Sequence, residues 1–500
     1  MHSQRDQVQA HRFVMDRVTS GILRVEPDAL RTPTSRTLRG SIGGLILGVL
    51  LCIGAGVYGL VKPGGTTGWA KNGTLVVAKD TGAAYFYMNN ALHPVLNETS
   101  AKLLAGTQMT VDDVTSSQLL GAPLGAPVGI VGAPAALPVA SDLTAAPWLA
   151  CASQQSAPDG ASTAALTVEV GQDSAAPGSL PGTQLTADQA LLVQTPDNTV
   201  YLLWRGERMR VATRQGVLAA LGYTGDTPFP VPEGFINALP SGPDLAPPPV
   251  AGLGEPGPAL SDRPTRYGQL FTGPAAAHYV LTESGLEPVT AMQYALLFGD
   301  PAIQAQAYGG QAVTAEPVGA QDLQNHLATA TSGGLPEQPP TLVSADLSQP
   351  VCAETVVAAS SPTYAVALLP ADAVSGSAPV LGPGDQAACQ GADLVAVPSG
   401  RGALVRGVTG GGAAVTEYLV TDDGIKYPLR SPSVAGTLGY SAVPPATVPT
   451  SLLALLPTGP SLDPALISAG GIAQPQTSAA YPGCGRTSTA RTTPAVSSTQ

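Results

Sequence analysis

Charged residues make up only 12% of this 500-residue chain and aromatic residues only 5%. With 44% of residues apolar, that scarcity leaves material for a sizeable core. The charge that is present sums to −12, and the acidic portion beyond residue 61 argues against nucleic acid and against adhesion to an anionic membrane surface. The usual catalytic signatures are also missing. No lysine follows a G-x-x-x-x-G loop and none directly follows a glycine, so a Walker-type nucleotide site is not expected. There is no G-x-S-x-G elbow, no H-E-x-x-H and no local His and Cys signature. The five histidines are scattered, none at ligand spacing from a cysteine, and no two cysteines form C-x-x-C, so no metal site is expected. The triplet Asp80-Thr81-Gly82 matches the D-T-G of aspartic proteases, which need two carboxylates sharing a proton. A second D-T-G or D-S-G is absent and Lys79 precedes the aspartate, so the triplet reads as a tight turn between strands.

What the chain does have is one long run without charge. Residues 41–61, SIGGLILGVLLCIGAGVYGLV, lie between Arg39 and Lys62 and would span about 31 Å as a helix, against a hydrocarbon core of roughly 30 Å. Seven arginines and four acids precede the run, a balance of +3, while the remainder carries −15. The positive-inside rule therefore places the N-terminus in the cytoplasm and the large remainder outside a single-pass inner (plasma) membrane anchor. A cleaved signal peptide fits less well, because 40 residues precede a run longer than the usual apolar region. Cys52 reads as a membrane-facing apolar side chain, and Gly44 and Gly48 stand at small-xxx-small spacing suited to helix packing. Ahead of the span, residues 4–25 place Val8, Val14, Val18 and Ile22 on one stripe of an amphipathic helix, closed by Glu26 and Pro27 and followed by a basic linker over 30–40. That stripe has no domain of its own to dock on and calls for a partner protein or, second, the inner leaflet.

RDQVQAHRFVMDRV at 5–18, the N-terminal span, and GTLVVAKDTGAAYFYMNNALHPVLNETSAKLL at 73–104 together resemble the EccB family, a membrane-anchored component of actinobacterial type VII (ESX) secretion systems. The resemblance runs in order from residue 4 to about 470. It implies a single span and a large extracytoplasmic part built of repeats around a central domain. The implied partners are an EccC-type motor ATPase, EccD, EccE and a mycosin protease.

The residues show repeats independently. LGYTGDTPFPVPEGFINALPSGP at 221–243 and LGYSAVPPATVPTSLLALLPTGP at 438–460 keep ten identities at one offset, among them Tyr223/Tyr440 and Pro240/Pro457. A second pattern pairs Tyr85/Tyr279, Leu92/Leu286, Pro94/Pro288 and Leu103/Leu297, and reads locally as a hairpin closed by Asn89 and Asn90, a short strand ending at Val95 and a helix opened near Asn97. His93 in the first copy stands where the sister copy has Glu287, as a surface position would. The expected fold is α+β: an N-terminal transmembrane helix, then four small βα units in the order A-B-A′-B′ around a mainly β central domain, with pseudo-two-fold symmetry. The expected boundaries are 70–108, 191–250, 262–304 and 416–470 for the units, 110–190 and 305–415 for the halves of the central domain, and a disordered tail over 475–500. Cys151 and Cys352 occupy equivalent places in the duplication, so symmetry would bring them together as a disulfide, and the resemblance points the same way. Cys389 and Cys484 remain as a second pair by elimination. The functional expectation is a component that organises the extracytoplasmic side of a secretion complex by self-association and partner binding, with no enzymatic activity and no cofactor. The alternative is a membrane-anchored peptidoglycan-binding module or envelope sensor.

Overall fold

The computed structural model describes residues 4–24, 33–61, 68–143, 147–156, 162–171, 182–212, 214–330, 333–356, 362–409, 414–468 and 470–474. Two helices come first, Gln4–Arg24 and Pro33–Val61. The second begins well before the apolar run, so most of the expected basic linker is helical. Proline at its first position explains the early start, since its fixed φ suits a helix N-terminus and its missing N–H would be unpaired there anyway. Within it, Thr37–Tyr58 is long and apolar enough to cross a membrane.

The remainder is mainly sheet. Four small sheets share one strand order. In the first, Ala91–Pro94, Ala84–Met88 and Thr74–Ala78 form an antiparallel meander, and Thr110–Val114 adds to the far edge parallel to Thr74–Ala78. Asn89 and Asn90 turn one hairpin at φ 51° and 63°, a left-handed conformation that asparagine tolerates. A parallel neighbour needs a crossover, supplied here by helix Glu98–Ala105, whose first turn is capped by the Asn97 side chain accepting from the Ser100 N–H. The second sheet repeats the order with Glu207–Arg210, Val200–Trp204, Gln189–Gln194 and the parallel Phe229–Pro230. The third uses Gly285–Val289, His278–Thr282, Leu270–Thr272 and Ala315–Pro317, and the fourth Lys426–Pro428, Ala414–Val420, Ala403–Val408 and Ala446–Pro449. Strands Thr110–Val114, Ala315–Pro317 and Ala403–Val408 thus belong to small sheets, outside the boundaries expected from the repeat pattern, because each finds its parallel partner at long range.

The fifth sheet is central: Leu394–Ala396, Ser162–Val170, Trp148–Ser156, Val351–Val356, Thr363–Leu368 and Thr183–Gln184, in that order. Two antiparallel pairs, Trp148–Ser156 with Ser162–Val170 and Val351–Val356 with Thr363–Leu368, lie edge to edge with Cys151 opposite Cys352 in the register. The largest core cluster joins this sheet, through Trp148, Leu166, Val168 and Val351, to Phe235, Ile236, Leu452 and Leu456 of the second and fourth units. The small units pack in a crossed sense. Helix Glu98–Ala105 of the first meets Pro432–Thr437 of the fourth, and Arg214–Ala220 of the second meets Ala291–Phe298 of the third.

Candidate membrane anchor and assembly surfaces

On helix Gln4–Arg24, Val8, Val14, Val18 and Ile22 are all more than half exposed. At 100° per residue they fall, with Met15, on an arc of about 120°, so the stripe is continuous and is not covered by the described residues. Phe13 lies off it, with the Arg17 guanidinium 5.9 Å from its ring centroid. In the second helix, Gly44 and Gly48 open a shallow groove flanked by Leu45, Val49, Cys52 and Ile53. A Cβ at either glycine would meet nothing within 4 Å, so a neighbouring backbone has room to approach.

Outside the span, the chain is tied at its centre. Cys151 and Cys352 are disulfide-bonded with Cα atoms 4.0 Å apart, and both are fully buried. Cys389 is also disulfide-bonded, while Cys484 lies outside the described residues. Glu169 and Glu354 both face Leu149 in the register, each 1% exposed. Burial pushes the Glu169 carboxyl up to about 6, although the Ser375 N–H donates to it at 2.9 Å. Two buried tyrosines hold the outer units to the central segments. The Tyr223 hydroxyl donates to the Pro340 carbonyl at 2.6 Å and the Tyr440 hydroxyl to the Pro138 carbonyl at 2.7 Å.

Asp80, His93 and His278 sit in separate contacts. Asp80 sits in the turn between Thr74–Ala78 and Ala84–Met88 and accepts from the Ser116 N–H at 2.9 Å and from the Ser116 hydroxyl. Those bonds hold its carboxyl below the usual range and make it a loop clasp. His93 Nδ1 lies 2.8 Å from the Ala126 carbonyl, and His278 stacks on Tyr294 with ring centroids 3.9 Å apart. Among the described residues, no group of three or more His, Cys, Asp or Glu is arranged to hold a metal ion. Sequence reasoning missed the buried glutamates and the two tyrosine ties. The ties had a signal in the Tyr223/Tyr440 repeat pair, whereas Glu169 had none.

Fold and surfaces together define a class: an α+β protein with, among the described residues, one candidate membrane-spanning helix, an exposed amphipathic arm and a mainly β body. The family described as type VII secretion system ESX-1, transport TM domain B matches residues 1–473, and the chain belongs to it. It is 29% identical over 486 residues to the ESX-3 secretion system ATPase EccB3 of Mycolicibacterium smegmatis, covering 92% of this chain and 89% of that one. It is 28% identical over 354 residues to the ESX-1 secretion system ATPase EccB1 of Mycobacterium tuberculosis, covering 69% and 70%. Among solved structures, the EccB3 dimer from the ESX-3 core complex superposes with a TM-score of 0.59 at 26% identity, over 78% of this chain and 98% of that one. A chain of an intact ESX-5 inner membrane complex shares the fold with a TM-score of 0.61 at 22% identity, over 96% and 98%. The names of the relatives correct one expectation. The chain was expected to have no enzymatic activity, and the proteins it matches over most of their length are called ATPases.

Proposed function

We propose that this chain is a component of an ESX-type secretion complex in the inner membrane. The span fixes it there with the arm in the cytoplasm and the sheets outside. The observation that carries this reading is the match along residues 1–473 to a family of ESX transport components, from the arm through the span to the last sheet. A solved dimer of one such relative supports self-association of the outer part. On this reading the arm's apolar stripe binds cytoplasmic machinery, Gly44 and Gly48 pack against neighbouring spans, and the partners are an EccC-type motor ATPase, EccD, EccE and a mycosin protease. The outer part organises the extracytoplasmic side as an A-B-A′-B′ duplication. The shared strand order, the Cys151 and Cys352 register and the Tyr223 and Tyr440 ties support that description.

The test is purification of the full chain from membranes in mild detergent. Co-purification of a large multi-protein complex is expected. Val14→Asp with Val18→Asp should release the cytoplasmic partners while leaving the outer part folded, since burying a carboxylate in an apolar contact costs several kcal/mol. A complex that survives both changes refutes the role of the arm. ATP hydrolysis, the activity in the relatives' names, is measured on the same preparation with and without its partners.

A further inference from the structure

Arg205 and Gly206 form the tight turn between Val200–Trp204 and Glu207–Arg210, with φ of 50° and 76°. Glycine is demanded at the second position, because a Cβ there would lie 2.4 Å from the Tyr364 carbonyl oxygen. Arginine at the first is disfavoured, since left-handed turns of this kind select asparagine, aspartate or glycine. Its side chain is nonetheless held. The guanidinium carbon lies 4.4 Å from the Trp204 ring centroid, and Nε donates to the Ala187 carbonyl at 3.2 Å, which also accepts from Trp204 Nε1 at 2.9 Å. The two terminal nitrogens have no carboxylate partner among the described residues, in a chain with 35 acidic side chains against 23 basic ones. Beside this guanidinium opens a recess of about 290 Å³. The half-buried Leu185, Tyr364 and Ala365 give it apolar surface over the buried Leu203 and Val366, and Gln184 and Thr186 add polar groups.

We propose that the recess is a binding site for a small aliphatic carboxylate. The oriented fork of Arg205 takes the carboxylate through two parallel N–H donors, the geometry in which a guanidinium binds best. Leu185, Tyr364 and Ala365 receive the alkyl body. The volume lies at the small end of ligand sites, which limits the occupant to the end of a peptide chain or a short free acid.

The test uses the detergent-solubilised full chain, with calorimetric titration as the readout. Three probes are compared: N-acetyl-trialanine with a free carboxylate, the same peptide as its C-terminal amide, and butyrate. The free-acid peptide is expected to saturate the site, with the amide bound at least about tenfold more weakly. Saturation by butyrate as well assigns the ligand to free acids, and peptide binding alone assigns it to chain ends. Arg205→Asn, a residue that accepts left-handed backbone, should weaken binding at least about tenfold with the unfolding temperature unchanged. Arg205→Lys, which keeps the charge and loses the fork, serves if the asparagine variant unfolds, and is expected to weaken binding too. Equal binding of acid and amide, wild-type binding by the variant used, or no saturation by either carboxylate overturns the proposal.

Discussion

Replacing Tyr440 by phenylalanine removes one oxygen atom and leaves the Pro138 carbonyl without its described donor. Tyr440 is 2% exposed, so water does not take the place of the hydroxyl, and the ring remains to fill its site in the cluster with Leu404, Leu429 and Leu438. The cost is that of a buried acceptor left unsatisfied, about 1 to 3 kcal/mol. Tyr223→Phe breaks the equivalent bond to Pro340 in a separate cluster with Val217, Leu218 and Met292, so it should cost a similar amount, and the double variant should show the sum. Read by urea unfolding, at a slope of about 3 kcal/mol per molar, each single change lowers the midpoint by roughly 0.3 to 1 M with the slope unchanged. The ties also predict a pH effect. Burial pushes the Tyr223 phenol up to about 12 and raises that of Tyr440 as well, so the native state disfavours the phenolates that the unfolded chain forms near pH 10. Stability from this source is fully present below pH 10 and is lost as pH rises through the folded values, and each phenylalanine variant should lose less over that range than the parent chain. Unchanged midpoints in both single variants would refute the argument that these hydroxyls hold the outer units to the central segments.

Removing the central crosslink with Cys151→Ala and Cys352→Ala opens a loop of 201 residues, for which chain-entropy reasoning gives about 5 kcal/mol. A large fall in the urea midpoint is expected, and a wild-type midpoint would count against the crosslink as a main tie of the two strand pairs. Glu169→Gln acts in the opposite sense. Burial raises that carboxyl from 4.5 to about 6, so its ionisation costs the native state stability as pH rises through this interval, and the amide keeps an oxygen for the Ser375 N–H. The variant should gain up to about 2 kcal/mol at pH 7 and nothing at pH 4, as followed by thermal unfolding at both values. A gain of equal size at both pH values would point to packing instead.

How much of this was legible in the sequence depends on the range over which each contact acts. The arm and the span could be read because their signals are local: Val8, Val14, Val18 and Ile22 recur at helical spacing, and 21 residues without charge can be counted. The early start of the second helix at Pro33 was missed because the basic residues before the span suggested a linker, although arginine is a good helix former. The Asn89-Asn90 turn was legible for a stereochemical reason, since two residues tolerant of positive φ stood between short apolar runs. The parallel fourth strands were not. Phe229–Pro230 is two residues long, and its partner Val193 lies 36 positions away, beyond any periodicity. The crossed packing of first on fourth and second on third unit is likewise absent from local pattern, because each helix's apolar face specifies burial and not which neighbour supplies it. The buried Glu169 shows the same limit from the other side. In STAALTVEV the glutamate would be expected on a solvated face, yet strands on both sides and Ser375 close over it. Duplication is what recovers part of this long-range information. Two tyrosines at one offset, each reaching a proline carbonyl in the opposite half of the central region, tie a repeat read in the sequence to a contact that local reasoning could not assign. The same logic separates Arg205 from its surroundings. Its side chain stands at a turn position that favours glycine or asparagine, is held by a ring and a carbonyl, and lines a recess, a combination that no local pattern in the sequence announces.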